Sequence, residues 1–556
     1  MNTYNAQVDA VGGSLGLSAL IGLLPLVAFF VCLVGLKRSA WLSGMIALVT
    51  ALVVAVLGFG MPADLAVLSA SQGAAFGLFP IVWIVVMALW FYQVTVAAGR
   101  FEDMRAIFDT IGGGDVRIQA ILIAFCFGGL LEALAGFGAP VAITATMILA
   151  IGLKPLKTAA VVLIANTAPV AFGAVAIPIT TAGRLTGIDP AHIGAIVGHQ
   201  APLFALVVPA FLLLIIDGAR GLREAWPAAL TIGAAFAIAQ WWTSTHFSYE
   251  LTDVVAALVA LGAAVLLLRF WRPRGAMAAK ERLEIEHVET ASELTFGRVW
   301  MAVLPYILVV IVFGIAKLWT LGVNIPAALA ATDIKIPWPG LDGRLVNAAG
   351  EPVSSTVYSF QWLSSPGTLL LITGLLVTVI YTVFTHSGRF PMTVGKGLRE
   401  IGACFYKMRF SALTIVMVLA LAYVMNFSGQ TLAIGTAVAG LGAAFAFFSP
   451  VLGWVGTAVT GSDTSANALF SNLQQTAAEG AGLDPALMVA SNTTGGVVGK
   501  MISPQSLAIA ATSVGLPGKE SEIFKKVLPW SVGMLLVLCC LVFLQSNVLS
   551  WMLPIQ

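Results

Sequence analysis

Three ionisable residues stand in apolar sequence away from any loop end: Glu132 in Leu131-Glu132-Ala133-Leu134, Asp463 in Gly461-Ser462-Asp463-Thr464, and Lys500 after Val497-Val498-Gly499. A charge in hydrocarbon costs several kcal/mol unless paired, hydrated or neutralised, so a buried ionisable group is read first as part of an ion or proton pathway. Glu132 and Asp463 are candidate proton carriers, because a secluded carboxyl close to an anion is easily kept protonated. Lys500 is suited to attract a carboxylate or to neutralise Asp463. The rival explanation is an ion pair that only locks helices together.

Around these charges lie small polar side chains that suit a carboxylate ligand: Asn166 and Thr167, then Ser491, Asn492, Thr493 and Thr494. Amides freed at the N-terminus of a broken helix carry partial positive charge, and hydroxyl and amide side chains complete the hydrogen bonds. With Lys500, these residues together with Gly136, Thr464, Asn467 and Gln505 form the candidate substrate-binding set. The plain alternative is that they bond local carbonyls or neighbouring helices. His199, in Gly198-His199-Gln200, reads better as a helix-end histidine bonding a carbonyl than as a relay.

The residues recur in two halves. At an offset of 326 positions Asn166-Thr167 meets Asn492-Thr493, Gly173 meets Gly499 and Pro178 meets Pro504, while Pro155 resembles Pro485 at a slightly different offset. Upstream of each, a break interrupts an apolar stretch, at Glu132 to Pro140 in the first half and at Gly461 to Asn467 in the second. Each half therefore reads as a broken hairpin (118–153 and about 440–476) followed by a broken helix. Non-helical backbone survives at membrane depth only where protein or a wet cavity covers it. Paired interruptions in repeats of opposite orientation are the pattern of secondary transporters.

The composition demands a membrane to hold these elements. Of 556 residues, 59% are apolar and 10% charged, and mean hydropathy is +0.97; soluble domains carry about a quarter charged residues. Segments near the ~20 apolar residues needed to cross hydrocarbon occur at roughly 18–36, 40–59, 79–99, 158–180, 193–216, 226–243, 253–270, 298–320, 366–386, 411–427, 486–513 and 527–550. With both termini outside and both hairpins returning to their side of entry, of the 28 basic residues only Arg184, Lys317, Lys335, Arg344 and Lys500 fall outside cytoplasmic loops, as positive-inside orientation requires. The expectation is an all-α polytopic protein forming a single transmembrane domain over 1–556: a first inverted repeat at 1–220, connecting helices and a cytoplasmic loop at 221–297, and a second repeat at 298–556. The polar insertion 271–297 is expected to include a short cytoplasmic helix and 325–365 an outer loop. The run at 18–36 lacks a basic n-region and reads as a retained helix, not a signal peptide.

Other classes fit poorly. A net charge of +2, spread over short loops, gives no footprint for nucleic acid. Cys32, Cys126, Cys404, Cys539 and Cys540 form neither a metal set nor a disulfide framework, and no cofactor is called for. Gly112-Gly113-Gly114-Asp115 matches a short intramembrane-protease pattern but lies in a charged loop without a suitable second aspartate, so no enzyme is expected. Gly495 to Met501 fails phosphate-loop spacing, since Thr494 and Met501 occupy positions that the pattern assigns to other residues.

The runs LLEALAGFGAPVAI (130–143), LIANTAPVAFGAVAIPI (163–179), FFSPVLGWVGTAVTGSDTSANALFSNLQ (447–474) and SNTTGGVVGKMISPQSLAIA (491–510) resemble the bacterial L-lactate permease family, over nearly the whole chain. The resemblance implies a symporter of the bacterial cytoplasmic membrane that takes up L-lactate, and often D-lactate or glycolate, with protons. Its partners would be that small monocarboxylate, protons and membrane lipid, with homodimerisation open. More distantly, the Asn-Thr turns are similar to the Ser-Asn-Thr signatures of divalent-anion/sodium symporters in the wider ion-transporter superfamily. Ala165 replaces Ser in the first copy, which favours protons over a sodium site there. A sodium-coupled symporter of another small carboxylate is the alternative.

Overall fold

A computed structural model describes residues 3–135, 138–285, 295–318, 323–346, 352–385 and 390–554. The described chain is predominantly helical, and eleven helical runs are long and apolar enough to cross a membrane, or twelve when the bent pair Pro155–Ala165 and Val170–Thr186 counts as one span. Their outer faces carry exposed Leu, Val, Phe and Trp, such as Leu57, Val67, Leu266 and Phe543, which is how a surface solvated by lipid reads.

Eleven helices build or back the site. In chain order they are α1 Gly128–Ala135, α2 Ala139–Ala150, α3 Pro155–Ala165, α4 Gly173–Thr186, α5 Ala201–His246, α6 Thr252–Phe270, α7 Val394–Phe427, α8 Phe445–Thr460, α9 Asp463–Ala481, α10 Pro485–Lys500 and α11 Pro504–Ser513. Their ends follow local rules. Gly461 takes φ 75° at the end of α8, a left-handed value that only glycine holds without strain. Ser462 then caps α9 by accepting from the Ser465 amide, so α8 and α9 meet across two residues. Asp484 caps α10 by accepting from the amides of Ala486 and Leu487, with Pro485 in the first helical position. Ser503 and Pro504 repeat that device at α11.

The two regions that share the repeat pattern interlock. Helix α4 packs on α1 and also on α9, while α11 packs on α2. Helices α8 and α10 cross closely enough that glycine is obligatory. A Cβ on Gly453 would sit 1.8 Å from the Asn492 carbonyl oxygen, and one on Gly495 would sit 2.0 Å from that of Pro450. Backbone approach through small residues is a common basis for helix packing in lipid. Gly453→Ala is accordingly expected to cost at least the 1–3 kcal/mol usual for overpacking, read as loss of the monodisperse peak in size-exclusion chromatography.

Several expectations need correction. Asn166 caps the end of α3 and Thr167 lies in the break that follows, but Asn492-Thr493 lies inside α10, which runs unbroken to Lys500; the second interruption falls at Met501 to Ser503. The repeat offset aligned sequence, not the breaks. The segments expected at 193–216 and 226–243 are not separated by a loop. Residues 193–197 belong to a separate helix, Pro190–Val197, and from Ala201 helix α5 runs through the rest of both, turning at Gly218 (φ 66°, ψ −157°). A Cβ on Gly233 would lie 2.5 Å from the Leu206 carbonyl oxygen, a closeness that 27 residues of straight helix, ~40 Å at 1.5 Å each, would forbid. The arms therefore fold back on each other at one glycine. The helix expected at 411–427 begins at Val394.

The polar insertions carry short elements of their own where they are described. Ala276–Leu283 is a short helix, and Ile334–Pro337 pairs antiparallel with Val357–Phe360 within 325–365. Beside the short helix, Lys154 bonds Glu284 at 2.8 Å and holds that exposed carboxyl below the usual carboxylate range. Asp115 accepts from the Arg117 amide and guanidinium, and Arg117 also contacts Asp217 and Glu224. That use is structural.

Candidate functional site

The three ionisable residues singled out in the sequence converge. Glu132 projects from α1 and is ion-paired with Lys500, the last residue of α10, with both buried. Lys500 thus pairs across the two regions, with Glu132 and not with Asp463. Asp463 opens α9 and is also buried; its Oδ1 accepts from Thr457 Oγ1 at 3.4 Å and Asn467 Nδ2 at 3.3 Å. Glycines leave the space that both carboxyls occupy. A Cβ on Gly173 would come within 2.9 Å of Glu132 Oε1, and one on Gly496 within 2.0 Å of Asp463 Oδ1. Gly496→Ala is expected to reduce transport at least tenfold while the protein still reaches the membrane, checked by uptake normalised to surface protein.

Between them is a cavity of about 30 Å³, lined by Glu132, Val170, Gly173, Ala174, Pro178, Gly461, Ser462, Asp463, Thr464 and Lys500. Glu132 Oε2 and Asp463 Oδ2 are buried without a hydrogen-bond partner. Unpaired acceptors of this kind are expensive in a fold with no use for them. The wall formed by α4 is itself strained. Ala174, Val175 and Ala176 hold φ of 44°, 60° and 54°, left-handed backbone that costs L-residues ~1–2 kcal/mol each and that concentrates at functional sites.

Larger cavities flank this one. Ser462 also borders a cavity of about 870 Å³, with Lys37, Arg38, Thr460 and Gln505 in its lining. Farther along α4, beyond Pro178, Thr180 and Arg184 line a separate cavity of about 370 Å³ with Tyr249 and Glu250. The central cavity shares Ser462 with the first of these, and α4 lines both it and the second.

The remaining candidates separate into groups. Asn467, Ser491, Asn492 and Thr493 back the cavity as a closed hydrogen-bond network. Asn467 Oδ1 accepts from Asn492 Nδ2 (3.1 Å) and Thr493 Oγ1 (2.9 Å), Gln474 Nε2 donates to Asn492 Oδ1 (3.1 Å), and Ser491 bonds Ser449 at 2.5 Å. Thr494 donates to Gln200 Oε1 (2.7 Å), whose amide donates to Gln545. These side chains are satisfied by one another, so they brace α8, α9 and α10 before they can serve a ligand. Asn166 and Thr167 sit in the break after α3, outside the cavity lining, and Asn166 Oδ1 is unpartnered. Gln505 is exposed in the larger cavity. Gly136 lies outside the described residues. His199 is spent structurally: Nδ1 bonds the Ala195 carbonyl at 2.7 Å, and Nε2 accepts from Trp241 Nε1 at 3.0 Å.

Sequence reasoning passed over Ser462, Gly173 and Ala174, which line the cavity, and Asp253, which is fully buried on α6. Asp253 opens the segment expected at 253–270 and so looked like a loop-end residue. The flanking Gly461 and Thr464 were the available signal for Ser462.

The chain matches the L-lactate permease family over residues 18–549. It is 40% identical over 565 residues to an L-lactate permease of Bacillus subtilis, with 98% of each chain covered. It is also 40% identical over 574 residues to the glycolate permease GlcA of Escherichia coli, with both chains covered completely. Among solved structures, a YdaH transporter from Alcanivorax borkumensis aligns with a TM-score of 0.32 and 16% identity, covering 81% of this chain and 90% of that one. This chain belongs to the L-lactate permease family. It is a permease and not an enzyme.

Proposed function

We propose that this permease takes up L-lactate, and with it D-lactate and glycolate, across the bacterial cytoplasmic membrane by proton symport. The single observation that carries the reading is the cavity where Glu132, Asp463 and Lys500 meet, with an unpartnered carboxylate oxygen on each acid. Lactate and glycolate permeases as full-length relatives support the substrate class.

In this reading the substrate carboxylate approaches Lys500 and the N-terminus of α9, where the first amides of a helix have no intrahelical acceptor. A second negative charge beside ionised Asp463 would repel it, so anion and proton enter together. The proton also removes the cost of carrying an anion toward a negative interior, ~2.3 kcal/mol per 100 mV. Two halves, 1–220 and 298–556, act as inverted repeats of one transmembrane domain joined by 221–297, with hairpins α1–α2 and α8–α9 re-entering from opposite sides and both chain termini outside. The flanking cavities then open in turn. Membrane lipid surrounds the domain, and a homodimer is compatible with it.

Proteoliposome uptake of labelled L-lactate under separately imposed pH and sodium gradients tests the reading, with glycolate and succinate as competitors. Accumulation driven by the pH gradient alone and inhibited by glycolate is expected. Accumulation that follows sodium and ignores pH would overturn it.

A further inference from the structure

Another carboxyl is fully buried in the same body, outside the cavity lining. Asp253 stands in the first turn of α6 with no exposed surface, and among the described residues it forms no ion pair. Its Oδ1 accepts from Gln240 Nε2 of α5 at 2.9 Å, and that same amide donates at 3.2 Å to the carbonyl of Ala168 in the break between α3 and α4. A helix-capping role would bring a backbone amide to the carboxyl; Asp253 instead spends one oxygen on a glutamine that holds a freed carbonyl of the break.

Two acceptors are left over. Asp253 Oδ2 and Gln240 Oε1 are both buried and unpartnered, on residues already bonded to each other. What this pair lacks is a hydrogen, which a proton on the carboxyl would supply. Among the described side chains, the elements packed on α6 carry these charges: α1 has Glu132, already paired with Lys500; the turn Tyr249–Leu251 has Glu250, which accepts from Ser248; Phe296–Leu318 has Arg298, paired with Asp103; and α5 has His246, whose ring meets Trp241 and Trp242, and near its reversal Asp217, Arg220, Arg223 and Glu224, ~24 Å or more of helix before Gln240. An ionised Asp253 would be a buried charge without a counter-ion among the described residues.

We infer that Asp253 is a second proton-holding group of the transporter, tied through Gln240 to the α3–α4 break, so that its protonation and the geometry of that break change together. The inference rests on the proton-symport reading. The proton arrives from water on one side and leaves to water on the other, with no other chemistry.

The test uses the full-length protein in proteoliposomes with an internal pH dye, comparing wild type, Asp253→Asn, Asp253→Glu and Gln240→Leu. For each, lactate accumulation under an imposed pH gradient is divided by lactate/lactate exchange in the same variant, since exchange does not require the proton to leave. Asp253→Asn is expected to lower this ratio tenfold or more, Asp253→Glu to restore most of it, and Gln240→Leu to shift the pH profile of exchange. A wild-type ratio and pH profile in Asp253→Asn overturn the inference and leave symport standing. If Asp253→Asn does not fold, an unchanged pH profile in Gln240→Leu overturns it. Absence of proton movement with lactate in the wild type sinks symport first, and this inference with it.

Discussion

Lys500→Met is expected to abolish concentrative lactate uptake and to lower the yield of folded protein sharply. The substitution keeps the length of the side chain and removes its charge, leaving Glu132 buried without its partner. Removing one member of a buried pair costs ~3–5 kcal/mol, a large share of the ~5–15 kcal/mol by which a typical domain is stable. The double variant Glu132→Gln/Lys500→Met separates structure from transport. It removes both charges, so folded yield, read by size-exclusion chromatography, is expected to recover while uptake stays absent. Wild-type uptake by the double variant would mean that the pair only locks α1 to α10.

Asp463→Asn should give the second large effect. Asparagine can still accept from Thr457 and Asn467 through its carbonyl oxygen, so the turn between α8 and α9 is kept. What is lost is the capacity to carry a proton. Lactate would then cross as a bare anion, opposed by ~2.3 kcal/mol per 100 mV, about fiftyfold in the attainable gradient at that potential. Accumulation driven by a pH gradient is expected to vanish, while lactate/lactate exchange falls much less. Unchanged pH-driven accumulation would remove Asp463 from the coupling path.

The membrane class and the three central ions were legible because hydropathy is a property of the chain: a lone Glu, Asp or Lys inside an apolar run needs no structure to be conspicuous. Their partners were not. Lys500 lies 37 residues after Asp463 and 368 after Glu132, yet the fold pairs it with the distant residue because α1 and α10 come from the two interlocked regions. Asn492 and Thr493 were legible as polar residues in a buried segment, but not as members of a closed network, since their bonds go to Asn467 and Gln474 on α9. The reversal at Gly218 was hidden for a different reason. A single glycine with positive φ folds the chain back without the polar loop that marks most turns, and Arg220 and Arg223 imitate such a loop while remaining helical.

Thiol labelling at Ser462 tests the central claim, that lactate binds between Glu132, Asp463 and Lys500, most directly, because Ser462 borders both the central cavity and the wide cavity beside it. In a transport-competent variant carrying Ser462→Cys, with the exposed Cys540 replaced by serine, the rate of maleimide modification is measured against lactate concentration. The account predicts that L-lactate and glycolate slow labelling with the same concentration dependence as transport and that succinate does not. A labelling rate untouched by saturating lactate, in a variant that still transports it, would contradict the account.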